Sequence, residues 1–361
     1  MSVTIAATPV RFTPEMEVPE ANEAATLAGL NETLGTISQT TFEHSGHGWR
    51  GVHAKGHGLL RGELIVLGNL PPHLAQGMFA RSARYPVAMR FSTIPGDILD
   101  DSVSTPRGLA VKVMGVEGER LPGSTGDTTQ DFVMVNGPAF GAPTTAKFLE
   151  SLKLLAPTTD KTPGLKQAAS ALARATETMI EAFGGKSGTL IAMGGHPETN
   201  ILGETFYSQA PTLYGEHIAK FCLAPTGDLA ALKDAAIDAG DDPDALRDAV
   251  AAYFATHGGT WEFRVQLCTD LATMPIEDSS VEWSLKASPY VVVASLTVTP
   301  QDSWSDANIK AIEDGMAFSP WHGLLAHRPL GSVMRARKST YARSAELRGE
   351  RNGCPIHEPK G

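Results

Sequence analysis

The chain has 361 residues, of which 42% are hydrophobic and 19% are charged, and its formal net charge is −10 at pH 7. This length is ample for a large buried core, and no apolar run reaches the roughly 18 residues that would predict a membrane span. The negative charge argues against a nucleic-acid-binding surface. Three widely separated cysteines, Cys222, Cys268 and Cys354, predict neither a disulfide framework nor a Cys-x-x-Cys metal site.

The N-terminal residues lack the basic and apolar regions of a secretory signal. Together with the cysteine usage, this predicts a cytoplasmic protein in a reducing compartment. Residues 1–25 are rich in Pro, Thr and Glu with little periodicity, and we expect them to form an extended arm. Residues 26–361 contain no repeat or low-complexity linker, and we expect them to form a single domain.

Apolar and polar residues alternate between turn-forming residues in several segments, which predicts β-strands. The expected strands cover residues 59–67, 87–92, 109–114, 131–135, 219–223, 261–271 and 290–298. Other segments favour helices by composition or by the absence of Gly and Pro. The expected helices cover residues 146–155, 165–183, about 306–316 and about 331–348. This order of strands and helices favours an α+β fold, which we interpret as a β-barrel with appended helices.

The last predicted helix places one tyrosine between two arginines. Residues 332–348 contain no Gly or Pro. At about 100° per residue, Arg337, Tyr341 and Arg348 fall within roughly 40° of one face. A phenol is a poor metal ligand until it ionises, and nearby guanidiniums favour the phenolate. The pattern indicates a tyrosine poised to ionise; the alternative is a solvated basic helix whose tyrosine only packs.

Five short motifs occur in order along the chain. They are Arg50-Gly-Val-His-Ala-Lys-Gly56, Arg90-Phe-Ser-Thr93, Pro106-Arg-Gly-Leu-Ala-Val-Lys112, Asp131-Phe-x-x-x-Asn-Gly-Pro138 and Arg337-x-x-x-Tyr341. In this order they resemble the haem-dependent catalase superfamily, over about residues 45 to 350. The resemblance implies a catalase-like antiparallel β-barrel with surrounding helices, and haem b with its iron as the cofactor.

The resemblance also implies roles on both faces of the haem. On the distal face, His53 transfers protons, Asn136 is an uncharged donor to peroxide and Ser92 holds His53. Imidazole suits proton transfer because its pKa lies near neutrality. On the proximal face, Tyr341 binds the iron and Arg337 stabilises its phenolate, and this ligation follows from the resemblance alone. The other implied cofactor contacts are Arg50, Arg90 and Arg348 at the propionates, Val52 at the access channel and Phe140 on the distal wall.

Two departures from the superfamily pattern bear on the expected reaction. Thr105 stands before the Pro-Arg-Gly motif, where catalases carry an Asp that lines the main channel. The chain also ends 20 residues after Tyr341, from which we expect a pocket more open to bulky molecules. Both features resemble the small catalase-related peroxidases, which reduce organic hydroperoxides with an electron donor.

We therefore expect a haem peroxidase that reduces organic hydroperoxides or hydrogen peroxide with a small reducing substrate. A true catalase, a hydroperoxide isomerase or dehydratase, and a haem carrier or sensor stay open as alternatives. We also expect a homo-oligomer, either a dimer or a tetramer. The histidines of residues 44–58 do not predict a zinc site, because the segment is glycine-rich and no nearby Cys completes a familiar pattern.

Overall fold

A computed structural model describes residues 8–155, 196–240 and 242–359. Within these residues, nine strands form one antiparallel sheet. They are β1 (Gly56–Val66), β2 (Arg84–Thr93), β3 (Arg107–Met114), β4 (Thr129–Val135), β5 (Phe206–Tyr207), β6 (Thr212–Tyr214), β7 (His217–Thr226), β8 (Gly259–Leu267) and β9 (Val291–Val298). The strand order is β5-β4-β3-β2-β1-β9-β8-β7-β6, and the pairing of β5 with β7 closes an eight-stranded barrel. The predicted α+β fold with an antiparallel barrel is confirmed.

Helices pack around this barrel. In the described ranges they are α1 (Glu23–Ser45), α2 (Thr145–Leu155), α3 (Gly227–Ala230), α4 (Ala245–Phe254), α5 (Asp306–Asn308), a π-helix (Ile309–Asp314) and α6 (Ser332–Asn352). Short 3-10 helices cover Pro14–Met16, Gly77–Phe79, Ile201–Gly203 and Leu325–His327. None of the helices described is both long enough and apolar enough to cross a membrane.

The inside of the barrel is packed core. Met89 and Phe91 of β2 are fully buried in it. Aromatic rings fill the interior and leave a cavity of only about 10 Å³, which has room for about one water molecule. Because side chains alternate along a strand, Arg90 and Ser92 lie on the opposite, outer face of β2. The candidate site therefore lies outside the barrel wall.

The π-helix covers the outer face of β1 and β2. Leu59 and Ala88 of these strands form an apolar cluster with Ile312 and with Phe318, which follows the π-helix. All four side chains are buried. This packing places the π-helix over the face of β2 that carries Arg90.

Helix α6 packs against α1 and α2. Leu30 and Ile37 of α1 form a buried cluster with Ala336 of α6. Just before α6, Gly331 has φ +84°, and a Cβ there would lie 2.3 Å from the carbonyl oxygen of Ile276. Only glycine fits this backbone and this close approach without strain. The start of α6 is thereby fixed relative to the neighbouring chain.

Most predicted elements occur near their expected positions, with two corrections. The predicted strand 261–271 ends at Leu267, because residues 271–274 form a turn. The predicted helix 306–316 consists of the short α5 followed by a π-helix. The predicted helix 165–183 lies outside the described residues. The division into an arm of residues 1–25 and a domain of 26–361 stays a prediction.

Three α-helices and two short strands have no counterpart in the sequence analysis, namely α1, α3, α4, β5 and β6. Helix α1 is rich in threonine, a β-branched residue that is unfavourable in helix interiors. In the structure its hydroxyls turn back onto the helix: Thr33 donates to the carbonyl of Gly29 at 2.8 Å, and Thr41 to that of Ile37 at 3.1 Å. The buried face of α1 stabilises the helix through tertiary packing that composition does not reveal.

Candidate active site

His53 lies just before β1 in an unusual backbone conformation. Its φ is 55°, in the left-handed region that side chains other than glycine rarely adopt. Its N–H donates to the carbonyl of Ile94 at 2.7 Å, and its ring Nδ1 lies 3.1 Å from Ser92 Oγ. Such a backbone costs on the order of 1–3 kcal/mol and persists where surrounding contacts enforce it, often at functional sites. The local structure therefore fixes the imidazole against β2.

Strand β3 approaches the His53 ring closely. Gly108 pairs with Ser92 in the sheet. A Cβ at position 108 would lie 2.4 Å from His53 Nδ1 and Cε1, and 2.9 Å from Ser92 Oγ. Any other residue here would push the ring away from Ser92. The glycine of the Pro-Arg-Gly motif thus has a steric role in the placement of His53.

The imidazole of His53 is neutral at pH 7. Burial, followed by the positive charges of Arg90 and Arg337, lowers its pKa to about 3. Ser92 Oγ donates a long hydrogen bond of 3.5 Å to the carbonyl of Gly108, so it can accept one from Nδ1–H. His53 Nε2 then carries the lone pair and is available to take up a proton.

Asn136 follows β4 and is held by Arg107 through both its backbone and its side chain. Arg107 N–H donates to Asn136 Oδ1 at 2.9 Å, and Asn136 N–H donates to the carbonyl of Arg107 at 3.0 Å. The side-chain Nδ2 lies 2.7 Å from His196 Nε2. The amide group of Asn136 is therefore fixed in one orientation.

Two of the predicted propionate ligands bind one buried carboxylate, and the third binds the backbone next to it. Arg90 donates two hydrogen bonds to Glu313, of 2.7 and 2.8 Å, and Arg50 donates one of 2.5 Å. Arg348 donates to backbone carbonyls at the end of the π-helix. Carbonyls at a helix end lack partners within the helix, so these guanidiniums also complete the end of the π-helix.

The charge in this arginine cluster is not balanced. Burial would raise the pKa of Glu313, but Arg50 and Arg90 lower it to about 2, so the carboxylate is ionised. Three guanidiniums outweigh this single carboxylate, and nearby Asp314 offsets part of the excess. The buried Nε of Arg348 has no hydrogen-bond partner in the part of the chain that the structure describes. The donor set therefore fits a further anionic group such as a propionate, and this role stays a prediction.

Helix α6, which carries Tyr341, contacts the segment that contains His53. Three residues beyond the tyrosine, Ser344 Oγ accepts a hydrogen bond of 3.1 Å from the N–H of Gly51. Four residues before it, Arg337 is close enough to lower the pKa of His53. The half-buried Tyr341 lies between these two contacts. The role of Tyr341 as a ligand stays a prediction.

Arg337 and Phe140 contact each other at the boundary of α6 and the loop after β4. The guanidinium of Arg337 lies 5.9 Å from the centre of the Phe140 ring, and its Nη1 lies 3.6 Å from Met334 Sδ. Phe140 also packs on Phe148 of α2, with ring centres 5.1 Å apart. The pairing of Arg337 with a phenolate and the place of Phe140 on a distal wall stay predictions.

Of the ten predicted site residues, three are buried and seven are half-buried. The buried residues are Ser92, Arg90 and Arg348. The half-buried residues are Arg50, Val52, His53, Asn136, Phe140, Arg337 and Tyr341. The functional role of each residue stays a prediction.

A second polar cluster lies where the C-terminal segment meets the barrel. Asp131, His322 and Glu358 are close enough to hold a metal ion. However, Lys112 Nζ lies 2.7 Å from Asp131 Oδ1 and 2.7 Å from Glu358 Oε2, so its ammonium supplies the positive charge between the carboxylates. Burial opposes protonation of His322, but hydrogen bonds to both carboxylates raise its pKa to about 9. The cluster therefore anchors Glu358 to β3 and β4 by ion pairing.

Sequence analysis missed two residues of the candidate site, His196 and Glu313. His196 stands in Gly-Gly-His-Pro at residues 194–197, a pattern that is too short to specify a site. Glu313 is half of an acidic pair in a predicted helix, which usually indicates a solvated face. Only tertiary packing brings each of them to its partner.

No protein-family model and no curated protein matches the chain. Solved structures that resemble it include catalase A from Saccharomyces cerevisiae, with a TM-score of 0.59 and 18% identity over 86% of this chain and 63% of that protein. A fungal catalase has a TM-score of 0.58 and 19% identity over 86% of this chain and 62% of its own. A bacterial catalase has a TM-score of 0.58 and 18% identity, over 95% and 64%.

The chain thus spans slightly less than two thirds of the length of each of these three catalases. At 18–19% identity the likeness concerns the fold, which comprises the closed antiparallel barrel and its surrounding helices. The protein therefore has the catalase-like fold that its sequence predicts.

Proposed function

We propose that the chain binds haem b between the outer wall of the barrel and α6, and reduces hydroperoxides there. The proposal depends mainly on the His53–Ser92 pair, in which a strained backbone holds a neutral imidazole against a hydroxyl. The excess positive charge near Arg348 fits the propionates. Tyr341 would hold the iron, and the haem, when bound, supplies the electrons that break the peroxide O–O bond.

The protein residues supply proton transfer and orientation. The Nε2 atom of His53 accepts the proton from one peroxide oxygen and returns it to the other, which leaves as water or as an alcohol. Asn136 donates a hydrogen bond to the peroxide and does not titrate. Ser92 holds the imidazole at Nδ1, so the same ring nitrogen performs both proton transfers.

Thr105 favours an organic hydroperoxide over hydrogen peroxide as the substrate. It is buried, and its carbonyl accepts a hydrogen bond from Arg107 Nη1 at 3.0 Å. Without a carboxylate at this position, the protein lacks a charge that would favour small polar molecules over apolar ones. A small reducing substrate would then return the electrons consumed.

A true catalase is the second candidate function. The structural similarity to catalases and the presence of His53, Ser92 and Asn136 favour it. The haem-loaded chain should be mixed with hydrogen peroxide or cumene hydroperoxide, with and without a phenolic donor. Donor-dependent consumption of both peroxides supports the proposal, whereas vigorous oxygen evolution identifies a catalase. If the haem-loaded chain consumes neither peroxide, both the peroxidase and the catalase function are contradicted.

Replacement of Thr105 by Asp should shift the substrate preference. We expect faster oxygen evolution from hydrogen peroxide and slower turnover of cumene hydroperoxide, because a buried carboxylate must be hydrated and makes the route more polar. Oxygen-electrode and donor-oxidation assays on the same preparation measure both rates. Thr105→Asn, which adds similar volume without charge, is the control. If Thr105→Asp leaves both rates unchanged, position 105 does not control the choice of substrate.

A further inference from the structure

A second histidine lies against the proposed peroxide donor Asn136. His196 Nε2 is 2.7 Å from Asn136 Nδ2, and His196 Nδ1 is 2.7 Å from the carbonyl oxygen of Pro197. Both ring nitrogens of His196 therefore face hydrogen-bonding groups. Neither the sequence motifs nor the catalase resemblance assigns this histidine a role.

The hydrogen bonds around Asn136 determine which group donates to which. Because Arg107 N–H donates to Asn136 Oδ1, the carbonyl end of the side-chain amide faces Arg107 and the NH₂ end faces His196. An NH₂ group only donates, so His196 Nε2 must carry a lone pair. The other ring nitrogen, Nδ1, lies against both the Pro197 carbonyl and Arg107 Nη1. A neutral ring with its lone pair on Nε2 has its proton on Nδ1, and of these two groups only the carbonyl can accept it, so the guanidinium contact adds no hydrogen bond. His196 is therefore a neutral imidazole with its proton on Nδ1.

The surroundings keep His196 in this neutral form. The charged group packed against it is the buried guanidinium of Arg107, which lies against the ring at Nδ1 and donates its hydrogen bonds to Ser104 Oγ and to the carbonyl of Thr199. Burial, and after it the charge of Arg107, lowers the pKa of His196 to about 3. A protonated ring would present N–H groups on both sides and lose its hydrogen bond with Asn136.

His196 and His53 lie on either side of one dipeptide. Arg107 contacts His196, and the next residue, Gly108, approaches the His53 ring so closely that a Cβ would lie 2.4 Å from it. The start of β3 therefore links the proton-transfer group and the donor amide in one rigid unit. A change at His196 acts on peroxide through Asn136.

We propose that His196 is a positioning residue for the distal side of the site. Its Nε2 accepts one of the two amide protons of Asn136, which leaves the second N–H to donate to the peroxide oxygen. This inference rests on the proposed function for its kinetic consequence. The His196–Asn136 hydrogen bond itself can be tested without haem.

The test begins with nitrogen-15 NMR of the side-chain amides in the full chain before haem is added, with the Asn136 signal assigned from Asn136→Ala. In the wild-type protein we expect one Asn136 amide proton to be shifted downfield and protected from exchange. His196→Leu should abolish this signature. His196→Gln should retain it, because the side-chain carbonyl oxygen of glutamine can accept the hydrogen bond from Asn136. Identical Asn136 signals in wild type and His196→Leu would overturn the inference.

Two further readouts keep the test decisive. In the wild-type protein the Asn136 signal should stay constant from about pH 8 to pH 5, since His196 remains neutral; a change near pH 6.5 would overturn the inference even if His196→Leu does not fold.

In the haem-loaded enzyme, His196→Leu should lower the rate with peroxide about tenfold, as expected for one lost hydrogen bond, and His196→Gln should restore it. An unchanged rate in His196→Leu would refute the positioning role. Absence of peroxide reaction in wild type would refute the proposed function while leaving the NMR result intact.

Discussion

Replacement of His53 by alanine is expected to slow the reaction of the haem-loaded protein with hydrogen peroxide by about 10² to 10⁴-fold, the range for loss of a general acid–base group. The variant lacks the Nε2 lone pair that takes up the peroxide proton, while Asn136 and Tyr341 remain in place. Stopped-flow absorbance measures the rate, and haem content should change little. His44→Ala, at an exposed histidine near the end of α1, is the control.

The pH dependence of the wild-type rate tests the same role of His53. Its pKa of about 3 lies below the ordinary value of 6.5, so lowering the pH through 6.5 leaves the imidazole neutral and able to accept a proton. We expect a rate that is level between about pH 5 and 8. An unchanged rate in His53→Ala would remove this residue from the mechanism, and a wild-type rate that falls through pH 6.5 would show that His53 titrates normally.

Replacement of Glu313 by glutamine is expected to lower the free energy of unfolding by about 3–5 kcal/mol, since it leaves buried guanidiniums without their counter-charge. Arg90 and Arg50 both bind this carboxylate directly, and its side chain is only 4% exposed. Urea denaturation at pH 7 measures the loss. Asp314→Asn is the neighbouring control, because Asp314 is 25% exposed and pairs with His47, and we expect a change of at most about 1 kcal/mol.

The stabilisation from Glu313 has a defined pH dependence. Its pKa falls from 4.5 to about 2 on folding, so its contribution is complete above pH 4.5 and is lost as the pH falls through about 2. The difference in unfolding free energy between wild type and Glu313→Gln should therefore be constant from pH 7 to about pH 4.5 and should narrow as the pH falls further toward 2. If Glu313→Gln lowers the free energy of unfolding by less than about 1 kcal/mol at pH 7, Arg50 and Arg90 find other partners in the variant.

The barrel could be predicted from local sequence because its strands carry the signal themselves. In β2, Met89 and Phe91 alternate with Arg90 and Ser92, and this period of two separates the core from the outer face. The absence of Gly and Pro from residues 332–348 likewise predicts most of α6, and helical geometry alone places Arg337 and Tyr341 on one face.

The residues of the candidate site that the sequence did not predict depend on contacts between distant segments. Glu313 has no local feature that marks it as the partner of Arg50 and Arg90, which lie more than 200 positions earlier in the chain. His196 meets Asn136 only because the chain after residue 195 returns to the start of β3. Resemblance to a family locates shared motifs, whereas these two residues require the packed structure.

The most direct test of the account is an absorbance titration of the purified chain with ferric haem b, with Tyr341→Phe and Tyr85→Phe measured in parallel. We expect the wild-type protein to bind haem and to show the high-spin spectrum of phenolate ligation. Tyr341→Phe should retain less haem or lose that spectrum, whereas Tyr85→Phe, at a half-buried tyrosine of β2, should behave as wild type. A wild-type chain that takes up no haem, or a Tyr341→Phe variant with an unchanged spectrum, would contradict haem binding through Tyr341.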